Sequence, residues 1–228
     1  MPEKDLAQDK EREAILAEKA ISDFASRLSC FKCQRCSLAS ADRKQVVVYR
    51  GNPRAKIVML GEAPGKWEDV KGLPFVGPAG ELTDKIFASV GIDTRRHLYI
   101  GNVVKCRPRL PPGSGKENRP PRVSELLACR PYFLREIQLL DPKIVIACGL
   151  PAARSAFGLE GNMKDLSGKF LTVDEEPMKG RTLMVIYHPA AVLHVSRDPA
   201  KEKEYKQALW NSMKMLRKAA DDMQIDLT

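Results

Sequence analysis

The sequence predicts an α/β fold with a central, mainly parallel sheet and helices on both of its faces. Two observations predict it. Short apolar runs of strand length, KIVMLG (56–61), YIGNVVK (99–105) and KIVIACG (143–149), alternate with longer segments of helical periodicity. These runs are apolar nearly throughout, as in strands covered on both sides.

In chain order, residues 1–29 read as a helical extension, because Ala17, Ile21, Phe24 and Leu28 recur at helical spacing between charges. Its expected place is on the surface of a single domain spanning 30–228. A cysteine-rich stretch, CFKCQRCSLA, follows. The strand 56–61 leads through a Gly/Pro loop to a helix over 79–92 that ends at Gly91. The strand 99–105 leads to a Pro- and Gly-filled loop over 108–121. Residues 122–140 read as mainly helical, with Pro131 as a break or a second start. The strand 143–149 precedes a helix with Pro151 near its beginning. KFLTV and RTLMVIYHP supply later strands. A closing helix over 199–219 carries Tyr205, Leu209, Met213 and Leu216 on one stripe.

Length and composition bound the function. The 228 residues suffice for one well-filled core and are too few to expect two. A hydrophobic fraction of 43% and a charged fraction of 29% are those of a globular chain. No apolar run approaches the roughly 18 residues a membrane span needs. MPEKDLAQDKEREA lacks the apolar core of a secretory signal. The expected location is therefore intracellular and cytoplasmic, with no membrane partner. Lys plus Arg number 38 against 29 acidic residues, a net charge of +9 that suits a polyanion.

Six cysteines in a reducing compartment point to metal ligation or burial rather than disulfides. Cys33 and Cys36 form a CxxC pair, and Cys30 and Cys33 form another, so spacing alone does not choose between them. Cys106 and Cys129 lie far downstream. Four thiolates hold either zinc or an iron–sulfur cluster, and spacing does not separate these. Cys148, inside an apolar strand, reads as a core residue.

Three loops carry candidate chemistry, each at the carboxyl end of a strand, where open α/β sheets bind ligands. In GEAPGKWEDVKGLPFVG (61–77), Gly61 and Gly65 permit close backbone approach, Glu62 places a carboxylate, and Phe75 offers a flat apolar face. Asn102 ends a strand, and its amide matches the donor–acceptor edge of uracil better than that of cytosine. His188, stiffened by Pro189, is placed to donate to charge on a leaving group. Each alone is equally compatible with an ordinary turn, strand end or cap.

Their combination is more specific. CxxCxL at 33–38, GEAPGxxED at 61–69, PFVGxAG at 74–80, NVVKC at 102–106, Cys129 and HPxxxL at 188–193 occur in order. Together they resemble the family 4, iron–sulfur uracil-DNA glycosylases over roughly residues 30–216. The resemblance implies a three-layer α/β/α fold and an enzyme of base excision DNA repair, a hydrolase acting on N-glycosyl bonds. It implies a [4Fe–4S] cluster on Cys33, Cys36, Cys106 and Cys129, with zinc as the alternative and Cys30 as an extra cysteine. Gly61, Phe75 and Asn102 would bind the base, with Phe75 stacking and Asn102 reading it; Glu62 and His188 match the acidic and histidine positions of the catalytic motifs. The implied partners are uracil-containing DNA and free uracil as product, handled by a monomer.

One feature departs from the family. The loop after Cys106, RPRLPPGSGKENRPPR, is long. A related group carries a long loop there and becomes trapped covalently on uracil-DNA through a loop histidine. That makes a uracil-DNA binding protein without turnover the rival reading. This loop has no histidine, and counting back from Cys129 puts Asn118 at its place.

Overall fold

The computed structural model describes residues 3–30, 33–39, 43–110, 118–174 and 176–228. In order these form α1 (Glu3–Cys30), β1 (Tyr49–Gly51), β2 (Ile57–Gly61), α2 (Lys66–Lys71), α3 (Pro78–Ala88), β3 (Leu98–Asn102) and α4 (Val123–Leu140). Then come β4 (Ile144–Cys148), α5 (Leu150–Phe157), α6 (Met163–Leu166), β5 (Phe170–Thr172), β6 (Thr182–Ile186), α7 (Pro189–His194) and α8 (Pro199–Asp222). None of the described helices is long and apolar enough to cross a membrane.

The strands form one sheet in the order β1-β3-β2-β4-β6-β5. The four central strands are parallel, and the short edge strands β1 and β5 are antiparallel to their neighbours. Side chains alternate across this sheet, as the pleat requires. Ile57 and Met59 of β2 face a core shared with Phe87 of α3 and Leu209, Met213 and Leu216 of α8. Val58 and Leu60 face the opposite core, with Phe133, Ile137 and Leu140 of α4 and Ala152 and Ala153 of α5. The result is a three-layer α/β/α arrangement with an apolar core on each face of the sheet.

The chain runs from β2 outward to β3, then back past β2 to β4 and on toward β6. The connections after the adjacent strands β2 and β4 therefore leave in opposite directions. This switch point opens a crevice at the strands' carboxyl ends.

Several expected boundaries move. β3 ends at Asn102, not 105, because the chain turns there: the Val104 N–H bonds to the Glu62 carbonyl at 2.9 Å, and Lys105 and Cys106 turn inward. α3 stops at Ala88, and Gly91 follows in the left-handed conformation while the Ile92 N–H reaches back to the Phe87 carbonyl. Gly91 thus closes the turn rather than the helix proper. Pro131 does not break α4. The carbonyl it leaves without a donor belongs to Leu127, which is 63% exposed and open to water. α8 runs three residues beyond the expected end, to Asp222. In α1, Ile21 and Leu28 are buried and Phe24 packs beside them, seating the helix along α4.

Candidate functional site

The crevice is built from the ends of β2, β3 and β6. A side chain at Gly61 would collide with Asn102 Oδ1 and sit 3.0 Å from the ring of Phe75. Only glycine lets these two groups meet over the strand end. Asn102 is 3% exposed. Phe75 is buried and held at a φ of 53°, a left-handed conformation that is uncommon for a bulky residue. Its ring stacks against the imidazole of His188, with centroids 5.7 Å apart and planes 23° from parallel.

His188 caps α7. Its Nδ1 accepts from the Ala190 N–H at 3.1 Å, so the neutral ring carries its proton on Nε2. Burial, followed by the nearby His194, pushes the imidazole down to about 4. At neutral pH it is an uncharged donor. Gly149 stands beside it at a φ of 91°, and a Cβ there would lie 3.2 Å from that of His188. Glu62 follows Gly61 directly, is half-buried, and has its carboxyl raised by that burial. Gly61, Phe75, Asn102 and His188 are thus brought into contact, and Glu62 adjoins them along the chain.

Behind Asn102 lies a buried polar network that sequence reading missed. Lys105 Nζ donates to the Asn102 carbonyl at 2.7 Å and pairs with Glu136, which also accepts from the Tyr99 hydroxyl at 2.5 Å. Lys105 and Glu136 are essentially excluded from solvent. Lys105→Met is expected to destabilise the protein by about 3–5 kcal/mol, since it strands a buried charge. Lys105→Met with Glu136→Leu should recover much of that loss. Urea unfolding of the two variants checks it.

A second constellation lies on the α4 side. Cys33, Cys36, Cys106 and Cys129 line one cavity, along with Arg35, Arg43, Lys105 and Tyr132. The Arg43 guanidinium donates to Cys106 Sγ at 3.7 Å, and the Lys105 backbone N–H to Cys129 Sγ at 3.4 Å. Burial pushes the Cys106 thiol up to about 12 and raises that of Cys129. Cys148 is not among them; it is 1% exposed in β4, as a core residue. The side chain of Cys30 lies outside the described residues. Among the described residues, no three His, Cys, Asp or Glu side chains come close enough to hold a single metal ion. The four thiols surround a space rather than a point.

Two buried carboxylates, also unforeseen, clamp the long loop. Asp69 accepts from the Lys44 and Gln45 N–H groups at 3.2 and 3.3 Å and pairs with Arg109. Glu125 takes two hydrogen bonds from Arg119, at 2.7 and 2.8 Å, and one from the Ser37 hydroxyl at 2.6 Å. The Arg119 hydrogen bonds above all hold its carboxyl down to about 2. The only sequence signal for Asp69 is its place in the GEAPGxxED motif, and for Glu125 its position three residues past the helix cap. Residues 111–117, with Glu117, lie outside the described residues. Asn118 accepts from Arg107 Nε at 2.6 Å, and its amide nitrogen lies 3.9 Å from where a Cβ at Gly65 would stand. The base of the loop therefore borders the first motif.

An α/β/α sheet whose switch-point crevice joins an aromatic ring, a buried amide and a neutral imidazole has the groups that a flat, hydrogen-bonding heterocycle would require. Residues 48–214 match the family model described as the uracil DNA glycosylase superfamily. The chain is 39% identical over 170 residues to the type-4 uracil-DNA glycosylase of Saccharolobus solfataricus, covering 72% of this chain and 73% of that protein. It is 37% identical over 183 residues to that of Pyrobaculum aerophilum, covering 78% and 86%. It is also 37% identical over 166 residues to that of Archaeoglobus fulgidus, covering 71% and 78%. The chain belongs to the uracil-DNA glycosylase superfamily and, within it, to the type-4 enzymes.

Proposed function

We infer that this protein is a DNA-repair glycosylase that flips uracil out of DNA and hydrolyses its N-glycosidic bond, leaving an abasic site. Family membership supports the reading, and the observation that carries it is the meeting of Phe75 and Asn102 over Gly61, with His188 stacked on the Phe75 ring. Extruding the base costs a few kcal/mol. Phe75 restores stacking, at roughly 1–3 kcal/mol by analogy with single-strand binders. Asn102 reads the N3 and O4 edge of uracil. As the C1′–N1 bond stretches, uracil becomes anionic and the sugar cation-like. The Nε2–H of His188 donates to the anion, and Glu62 supplies the carboxylate at the sugar. Water adds to C1′, and uracil leaves free with a proton. The enzyme acts as a cytoplasmic monomer on DNA held by its basic surface, with residues 30–228 as the catalytic domain and 1–29 as an extension.

We further propose that Cys33, Cys36, Cys106 and Cys129 hold a [4Fe–4S] cluster. Four thiols around one cavity, three of them buried and that of Cys36 half-buried, N–H donors to two sulfurs and cationic neighbours fit an anionic cluster. When bound, the cluster cross-links the 33–36 segment, the turn after β3 and α4.

Incubation of pure protein with a uracil-containing oligonucleotide, then alkali, tests the reading. Strand cleavage at uracil with free uracil released is the expected result. A protein–DNA adduct surviving SDS would replace turnover with trapping. Asn102→Asp should lower discrimination against cytosine about ten-fold or more, because a carboxylate no longer donates to uracil O4. Unchanged selectivity on matched uracil and cytosine substrates would remove Asn102 as the reader.

A further inference from the structure

Next to the base crevice the surface carries an aromatic and apolar patch that the steps above leave unused. Trp67 is 52% exposed, and Val70, one helical turn on, and Leu73 are exposed with it. The patch is fixed to the crevice wall. A Cβ at Gly77 would lie 3.0 Å from Trp67 Cδ1, and Gly77 caps α3 two residues after Phe75. Glu68 Oε1 accepts from the Val76 and Gly77 N–H groups at 3.1 and 3.3 Å, so α2 and the Phe75 loop move as one piece. Lys71 holds its ammonium 6.0 Å from the centre of the Trp67 ring, the outer limit of a cation–π contact.

We propose that Trp67 is a stacking platform for an unpaired base beside the flipped uracil, so that the enzyme favours uracil in single-stranded DNA. The proposal rests on the glycosylase reading and names the substrate form. Three observations choose a nucleic-acid strand as occupant. The patch adjoins the crevice that the flipped nucleotide must enter, so the flanking strand passes close by. Its cation, Lys71, is suited to a phosphate, and the chain carries a net charge of +9. A phosphate that draws Lys71 away leaves the indole face to a base, and stacking on an aromatic face is available to any base. In a duplex the neighbouring base stays paired and stacked in its own helix and cannot use the platform.

The full-length protein is tested with a uracil-free thymidine oligonucleotide and with a uracil-free duplex of equal length. The chain has two tryptophans, so Trp210→Phe leaves Trp67 as the sole source of tryptophan emission, read under excitation that tyrosine does not absorb. The single strand should quench that emission saturably, and the duplex should quench it weakly. Trp67→Ala should weaken single-strand binding about ten-fold or more and duplex binding far less, while Trp67→Phe retains most of the affinity. An unquenched signal with unchanged single-strand affinity overturns the proposal. Equal weakening on both forms also overturns it, as does a self-association of the wild type in sedimentation that Trp67→Ala abolishes. Uracil release by the unmodified protein is read separately: if it fails, the glycosylase reading fails; if it holds without the quench, only this inference does.

Discussion

Replacing His188 with alanine is expected to slow single-turnover uracil release by about 10²–10³-fold, the typical loss for one preorganised donor. DNA affinity should change little, because the Nε2–H bond strengthens only as charge develops on the leaving base. The donor is a neutral imidazole, since burial holds it down to about 4 and Nδ1 is already occupied by the Ala190 N–H. The His188-dependent rate should therefore be flat through neutral pH and fall only as pH approaches 4, where a proton on Nδ1 would break that cap. The same group leaves a mark on stability. Its folded value lies below the unfolded value near 6.5, so the unfolded chain binds more protons between the two. Stability should fall as pH drops from about 6.5 to 4, and His188→Ala should flatten that dependence in urea unfolding. An unaltered rate with weakened DNA binding would make His188 a docking residue.

What the sequence could disclose depended on how local each feature is. β2 and β4 were legible to within one residue because strands covered on both faces are unbroken apolar runs. The three-residue edge strand β1 has no such run, since its residues are only half-buried and its pairing with β3 is set by distant geometry. Gly61, Asn102 and His188 were legible because each lies at or just past the end of a strand, where chain order places them on one edge of the sheet, whereas Phe75 sits in the loop between α2 and α3 and was legible only through its motif. The buried charges were not legible. Lys105 and Glu136 are 31 positions apart, Asp69 and Arg109 are 40, and in sequence each looks like a solvated surface charge. Only tertiary packing excludes water from Lys105, Glu136 and Asp69, brings the partly exposed Arg109 to its partner, and turns these charges into supports for Asn102 and for the long loop.

Cys129→Ser is expected to cost the protein the proposed cluster: iron should fall from about four per chain, the count for a four-cysteine cluster, to a small fraction of one. Serine replaces a soft thiolate with a hard hydroxyl that is not ionised at neutral pH. The damage should spread beyond the metal. Cys129 sits in the middle of α4, its sulfur accepts from the Lys105 backbone N–H, and the Lys105 side chain holds the Asn102 carbonyl. Two further residues of α4, Glu125 and Glu136, anchor Arg119 of the long loop and Lys105. Losing the cross-link that the proposed cluster makes between α4 and the turn after β3 should therefore lower solubility and thermal stability as well as colour. Cys148→Ser is the control, because that sulfur is buried in β4 away from the cavity. It should retain full iron and the absorbance band near 400 nm, at the ordinary cost of placing a hydroxyl in an apolar strand. A colourless wild-type protein with one stoichiometric zinc would overturn the cluster assignment, and iron loss in Cys148→Ser with retention in Cys129→Ser would overturn the ligand set.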